Sequence, residues 1–147
     1  MCVPSPTKES GYLVKITDFG MSKVLTKSEY YKKSMSNNNN NEIPYRWAAP
    51  ELIQENSKIS QASDIWAFGV VLWEMYTGGH TPYGLKPAAE IETFILQGNR
   101  LAQPAGCPTA IYDLMKECWA GEAEKRPIFA SLYTSLQLLF KMSQKDE

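Results

Sequence analysis

The stretch that decides the fold is PYRWAAPE at 44–51, followed after a short linker by SDIWAFGVVLWEM at 63–75. From 65 to 73 there is no charged residue and no hydrophilic face, a pattern typical of a buried helix. The run is too short to span a bilayer, which takes about 20 apolar residues. We therefore predict the central helix of a soluble domain, from Ser63 as N-cap to Tyr76, ended by Gly78-Gly79.

Periodicity and proline or glycine signals predict the other elements. A short strand is expected at 12–17, without a partner, after a segment 1–11 that is disordered or divergent. The polar segment 21–42 is expected to be a disordered loop, and 58–62 a linker. Further helices are predicted at 50–54, 88–97, 108–119 and 127–142. The apolar positions expected to face the core in the last three are Ile91, Phe94, Ile95, Ile111, Leu114, Met115, Cys118, Phe129, Leu132, Leu136, Leu139 and Phe140.

Composition excludes several classes of protein. The 147 residues are 44% apolar, which suits one domain or part of a larger one. A net charge of −1 gives no strong attraction to nucleic acid or to an anionic membrane. The first residues lack the apolar region of a signal peptide. Three cysteines without metal-ligand spacing indicate free thiols in a reducing cytosol, so a cytoplasmic location is expected.

Two tripeptides bracket the polar loop, Asp-Phe-Gly at 18–20 and Ala-Pro-Glu at 49–51, and Asp64-x-Trp66-x-Phe68-Gly69 follows them. Asp-Phe-Gly alone is weak evidence, but the ordered set is strong. The chain from Leu13 to Phe140 resembles the C-terminal part of a protein kinase catalytic domain. The resemblance implies a mainly α fold, a kinase-like C-terminal lobe with a short β remnant before the activation loop and no N-terminal β lobe.

The same resemblance divides the chain. The partial kinase domain would cover 12–141, with an activation segment at 18–51, a helical lobe at 50–141 and a polar tail at 142–147. Pro44 stands where serine/threonine kinases usually have threonine, and Arg46-Trp47 follows, which resembles the tyrosine-kinase pattern. The nearest likeness is the spleen tyrosine kinase family of non-receptor kinases, on KITDFGMSK at 15–23, YYK at 30–32 and PAGCP at 104–108. The asparagine run at 37–41 and Ala48 depart from that family.

The resemblance assigns nucleotide chemistry to the first tripeptide. Asp18 would hold Mg²⁺ on the phosphates of ATP, Gly20 would let the backbone turn, and Phe19 would pack under a helix of the N-terminal lobe. The simpler interpretation of Asp18 is a surface aspartate ending a strand. Tyr30 and Tyr31 would be phosphorylated, and Lys23 would receive a phosphate; alternatively, these residues form only a solvated loop.

The resemblance also assigns a substrate platform, formed by Pro44, Arg46 and Trp47; the alternative is a rigid loop around a buried tryptophan. Glu51 is expected to pair with Arg126. Asp64 would accept hydrogen bonds from the backbone of the catalytic loop, or would only supply negative charge at a helix N-terminus. The residues expected to have structural roles are Ala49, Pro50, Glu51, Asp64, Trp66, Gly69, Trp119 and Arg126.

The chain contains no His-Arg-Asp catalytic loop, glycine-rich loop or ATP-binding lysine, so no catalytic residue is assigned in it. We predict a fragment of a protein tyrosine kinase that transfers the γ-phosphate of ATP to protein tyrosines, inactive alone and binding ATP and Mg²⁺ weakly or not at all. Its partners would be protein substrates and phosphotyrosine signalling proteins. The alternative is a non-catalytic docking or regulatory lobe; the ordered motifs exclude an unrelated helical protein. Substrate, receptor status, regulatory domains and oligomeric state stay open.

Overall fold

The computed structural model describes residues 2–4, 12–17, 19, 22, 30–32, 44–54 and 58–144. Within these residues the fold is mainly helical, which confirms the predicted class. The helices are α1 (Pro50–Ile53), α2 (Gln61–Tyr76), α3 (Ala88–Leu96), α4 (Thr109–Cys118) and α5 (Phe129–Ser143), with 3-10 turns at Tyr45–Trp47 and Ala123–Lys125. The strands are β1 (Cys2–Pro4), β2 (Tyr12–Val14), β3 (Tyr30–Lys32) and β4 (Lys58–Ser60).

The strands correct three predictions. β2 has a partner, because it pairs antiparallel with β1, with Val3 opposite Leu13. The first residues of the chain therefore include a strand, which the polar composition of 1–11 concealed. The predicted linker at 58–62 is wrong too: Lys58–Ser60 is β4, antiparallel to β3, and α2 begins directly after it. β1, β3 and β4 have three residues each, too few to show an alternating pattern, so sequence periodicity could not identify them.

The N-cap of α2 is Ser60, and the prediction of Ser63 is wrong. The two serines form a reciprocal capping box, in which the Ser63 amide donates to Ser60 Oγ at 3.4 Å and the Ser60 amide donates to Ser63 Oγ at 3.1 Å. This satisfies two amides at the helix start that would otherwise lack acceptors. Both serines suit a cap by residue type, and the three-residue spacing between them fits Ser60 as N-cap and Ser63 as its partner.

Replacing Ser60 with alanine is expected to lower the free energy of unfolding by about 1 kcal/mol, because the Ser63 amide loses its acceptor. Urea unfolding followed by circular dichroism measures the change. Ser131→Ala is the matched control, since Ser131 is an exposed serine inside α5. Equal losses in the two variants would contradict the assignment of the cap.

The core lies where α2 packs mainly against α4, with α3 and α5 completing it. Trp66 and Met115 are completely buried at its centre. The predicted all-round burial of α2 is wrong, because Val71 and Met75 are exposed on one side. In α5, Leu132 is buried as predicted, whereas Phe129 and Phe140 are 46% and 63% exposed. An apolar side chain is buried only where another element packs against its side of the helix, so residue type alone does not determine burial.

Candidate functional site

The 3-10 turn Tyr45–Trp47 is fixed in place by its own side chains. The Arg46 guanidinium donates from Nη1 to the carbonyl oxygens of Pro82 and Gly84, and from Nη2 to that of Lys86 at 3.2 Å. Trp47 Nε1 donates to Glu74 Oε2 on α2 at 3.0 Å. The turn is therefore tied both to the central helix and to the segment that precedes α3.

A groove lies between this turn and α3. One wall is the segment 44–47, and the other is formed by Lys86, Pro87, Ala88 and Ile91. Its volume is about 260 Å³, and it is open along one side. An open groove with mixed apolar and basic walls can accommodate an extended peptide. The structure thus places all three predicted platform residues on one wall of this groove.

Directly after the turn, Ala49 is completely buried and α1 begins with Pro50. A proline at the first helical position loses no hydrogen bond, because that amide has no acceptor within the helix. Glu51 in this first turn forms the predicted pair with Arg126: Nη1 to Oε1 and Nη2 to Oε2 are both 2.7 Å. This fork-to-fork geometry joins α1 to the chain just before α5.

Arg126 is also the hub of a wider network. Its Nε donates to the carbonyl of Ala120 at 2.9 Å, and its Nη1 to that of Ala62 in α2 at 2.8 Å. The Arg126 side chain is wholly shielded from solvent, whereas that of Glu51 is 23% exposed. A buried guanidinium needs this number of acceptors, because each donor left unpaired would carry a desolvation cost.

Two arginines lie close to the ring of Trp66. The guanidinium carbons of Arg100 and Arg126 are 4.7 Å and 5.2 Å from the centre of its ring. Burial lowers the pKa of Arg100, and the nearby charge of Arg126 lowers it further, whereas interaction with Tyr83 raises it. Arg100 donates its Nε proton to the carbonyl of Trp119 at 2.7 Å. These cation–ring contacts join α2 to the loop before α4 through Arg100, and to the segment before α5 through Arg126.

Gly69 is the point of closest approach between α2 and the end of α4. A β-carbon built at Gly69 would lie 2.7 Å from Trp119 Nε1 and 2.8 Å from the Cys118 β-carbon. Only glycine fits this contact without displacing a neighbour. Trp66 and Trp119 both have an indole N–H that is buried without an acceptor in the described part of the chain. The predicted structural residues Gly69 and Trp119 thus meet at one packing site, and Trp66 belongs to the same buried core.

Asp64 lies in the first turn of α2, with its surface partly exposed. Partial burial raises the pKa of its carboxyl group. No described residue forms a hydrogen bond or ion pair with this carboxylate. Its predicted contact with a catalytic-loop backbone is not tested by these residues, and it stays a prediction.

Several predicted site residues lie outside the described residues. These are Asp18, Gly20 and Lys23. Phe19 is described and is 66% exposed, so it packs on no core in this structure. Tyr30 and Tyr31 are described as strand β3, opposite Ser60 and Ile59 of β4. No cluster of three or more His, Cys, Asp or Glu side chains suited to a metal ion occurs among the described residues. The Mg²⁺ and ATP assignments therefore stay predictions.

Two groups that hold the platform in place could not be identified from the sequence. Glu74, which accepts the Trp47 indole, resembles any polar residue near a helix end. The carbonyls of 82–86 that bind Arg46 carry no side-chain signal at all. The Thr-Pro-Tyr-Gly sequence at 81–84, which overlaps this segment, is typical of a loop, but the contacts of a loop depend on the tertiary fold.

Comparison with known proteins shows the family of the chain. A model of the family described as "protein tyrosine and serine/threonine kinase" matches residues 8–136. A fruit fly (Drosophila melanogaster) protein, "Fibroblast growth factor receptor homolog 2", is 39% identical over 137 residues. The match covers 92% of this chain and 12% of that protein, so the chain spans a small part of this relative. Among the described residues, no helix is long and apolar enough to cross a membrane.

Proposed function

Because the chain belongs to the protein tyrosine and serine/threonine kinase family, we propose that it is the substrate-binding part of a protein tyrosine kinase. The intact enzyme would transfer the γ-phosphate of ATP to tyrosine side chains of proteins. The tyrosine hydroxyl oxygen bonds to the γ-phosphorus, the bond to the ADP oxygen breaks, and the hydroxyl proton passes to a carboxylate outside this chain. The observation that carries the proposal is the groove beside the platform 44–47.

The role of this chain is to position the acceptor tyrosine. Phosphoryl transfer depends on alignment and on charge stabilisation, so a rigid platform contributes directly to the rate. Trp47 is anchored to Glu74 on the central helix, and Arg46 to three carbonyls of the segment before α3. Pro44 in place of threonine supports tyrosine over serine or threonine as the acceptor.

ATP with Mg²⁺ supplies the phosphoryl group and neutralises the charge that develops during transfer. Asp18 would hold the metal ion, because Mg²⁺ prefers carboxylate oxygens, with Phe19 and Gly20 shaping the turn beside it. Asp64 would accept hydrogen bonds from the catalytic-loop backbone of the intact enzyme. Burial raises the pKa of this carboxyl group, and such hydrogen bonds would counter that shift by stabilising the charged form.

Phosphorylation of Tyr30 and Tyr31 would regulate the enzyme. Their strand pairs with β4, which leads directly into the Ser60 cap of the central helix. A phosphate adds about −1.5 to −2 charges, and Lys23 would receive it. The prediction is phosphate on one or both tyrosines of the intact parent after activation, measured by mass spectrometry. Its absence from both under activating conditions would refute the assignment.

The proposed placement in the spleen tyrosine kinase family, and with it a role among phosphotyrosine signalling proteins, rests on the motifs at 15–23, 30–32 and 104–108. The proposed cytoplasmic location rests on the three cysteines without metal-ligand spacing. The relative found by comparison is named as a receptor homolog, so the two alternatives differ in what precedes the kinase domain. Sequencing the transcript upstream of Met1 tests this. A membrane-spanning segment there would contradict the non-receptor assignment.

The same sequencing tests the activity. We expect upstream sequence with His-Arg-Asp and the ATP-binding lysine. A protein extended to include them should phosphorylate a tyrosine peptide in a radiolabelled-ATP assay, whereas the 147-residue chain alone should not. An extended protein that folds and binds peptide but transfers no phosphate would favour the non-catalytic docking lobe instead.

A further inference from the structure

Tyr83 is the one residue other than glycine with a positive φ in the described part of the chain, at 61°. For a bulky side chain this backbone conformation is an outlier, and it persists only where the surroundings impose it. Such residues concentrate at functional sites. The contacts that hold Tyr83 in this conformation therefore indicate which part of the local structure has to be fixed.

The side chain of Tyr83 is held by α3. Its ring meets the ring of Phe94 edge to face, with 5.9 Å between the centroids. The ring is partly buried against the core, and burial raises the pKa of the Tyr83 hydroxyl to about 12. This contact attaches the strained residue to the helix that forms the far wall of the groove.

The backbone of Tyr83 is held by Arg46. The carbonyls that Arg46 Nη1 binds belong to Pro82 and Gly84, the two neighbours of Tyr83, and Nη2 binds Lys86 two residues further on. One guanidinium therefore spans the strained residue from the opposite side of the groove. A planar fork with several fixed donors suits this task, whereas a lysine ammonium could not reach all three oxygens in the same way.

We propose that Arg46 is a positioning residue that fixes the width of the substrate groove by clamping the segment 82–86, and with it the start of α3, against the platform. The inference rests on the proposed function, because the groove is assigned to the peptide substrate. Its mechanism is specific: Arg46 acts on the second wall of the groove and not only as part of the first. Without the clamp, Tyr83 can relax and the Lys86 and Pro87 edge can move away from Pro44.

The test uses two readouts on Arg46→Ala and Arg46→Lys. In the full 147-residue chain, amide hydrogen exchange over 82–87 should accelerate in both variants, more in Arg46→Ala. In the parent kinase, the KM for a tyrosine peptide should rise about tenfold in Arg46→Ala and about threefold in Arg46→Lys, while the KM for ATP stays unchanged. If Arg46→Ala does not fold, Arg46→Lys carries both measurements.

Gln103→Ala is the control. Gln103 also donates to a backbone carbonyl, that of Cys107 at 2.7 Å, and it lies outside the groove. Its loss should leave both the peptide KM and the exchange over 82–87 unchanged. Unchanged exchange in both Arg46 variants, or an unchanged peptide KM in an active parent, overturns the inference. A parent without kinase activity contradicts the proposed function instead, and exchange over 82–87 then decides the role of Arg46.

Discussion

Replacing Arg126 with alanine is expected to lower the free energy of unfolding by about 3–5 kcal/mol. The change leaves the partly buried carboxylate of Glu51 without its two 2.7 Å partners. It also removes the hydrogen bonds that the Arg126 guanidinium donates to the carbonyl oxygens of Ala62 and Ala120. A buried charge without compensation costs more than the pair itself contributes, so losing one partner is worse than never having the pair. Urea unfolding of the chain followed by tryptophan fluorescence measures the loss.

A double-mutant cycle distinguishes this pair from two independent contributions. Glu51→Ala should destabilise strongly by itself, and Glu51→Ala with Arg126→Ala should be no less stable than Arg126→Ala alone. Lys125→Ala is the control, because its pair with Glu122 at 2.6 Å is two-thirds exposed on both sides and should contribute little. Additive losses at Glu51 and Arg126 would show that the pair is not coupled in solution.

The Glu51–Arg126 pair could be predicted because the family resemblance implies it, and Glu51 ends the Ala-Pro-Glu motif that carries this resemblance. The helices could be predicted for a different reason: proline at 50 and glycine at 98 mark their limits locally. In both cases the information lies in residues close together or in a known motif. This covers the helical frame and one wall of the groove.

The second wall could not be predicted, because it depends on contacts between segments far apart in sequence. Arg46 binds backbone carbonyls 36 to 40 residues away, and a carbonyl is the same in every residue. The pairings β1–β2 and β3–β4 could not be predicted for a related reason, since β1, β3 and β4 have three residues each, too few to show periodicity. Phe129 and Phe140 show the limit of residue type as a guide to burial: each is apolar, and each is exposed.

Gly69→Ala should lower the free energy of unfolding by about 2 kcal/mol, the second large effect expected in this chain. Two contributions to the free energy of unfolding oppose each other. Alanine in a helix is favoured over glycine by about 1 kcal/mol. Against this, its β-carbon would lie 2.7 Å from Trp119 Nε1 and 2.8 Å from the Cys118 β-carbon, which is fixed to the backbone of α4. Relieving that overlap separates α2 from α4 across Trp66 and Met115, so overpacking outweighs propensity.

Gly121→Ala is the control for Gly69→Ala, because its β-carbon would meet only Arg100 Nη2 at an ordinary 3.7 Å. It should change stability by less than about 0.5 kcal/mol in the same urea experiment.

A second substitution that relieves part of the overlap gives a further test. Trp119→Phe removes the indole nitrogen that the new methyl group would strike, and this nitrogen is buried without an acceptor in the described part of the chain. The double variant Gly69→Ala with Trp119→Phe should therefore recover part of the loss, because the overlap with Cys118 remains. A Gly69→Ala protein as stable as the parent chain would mean that α2 and α4 do not approach this closely in solution.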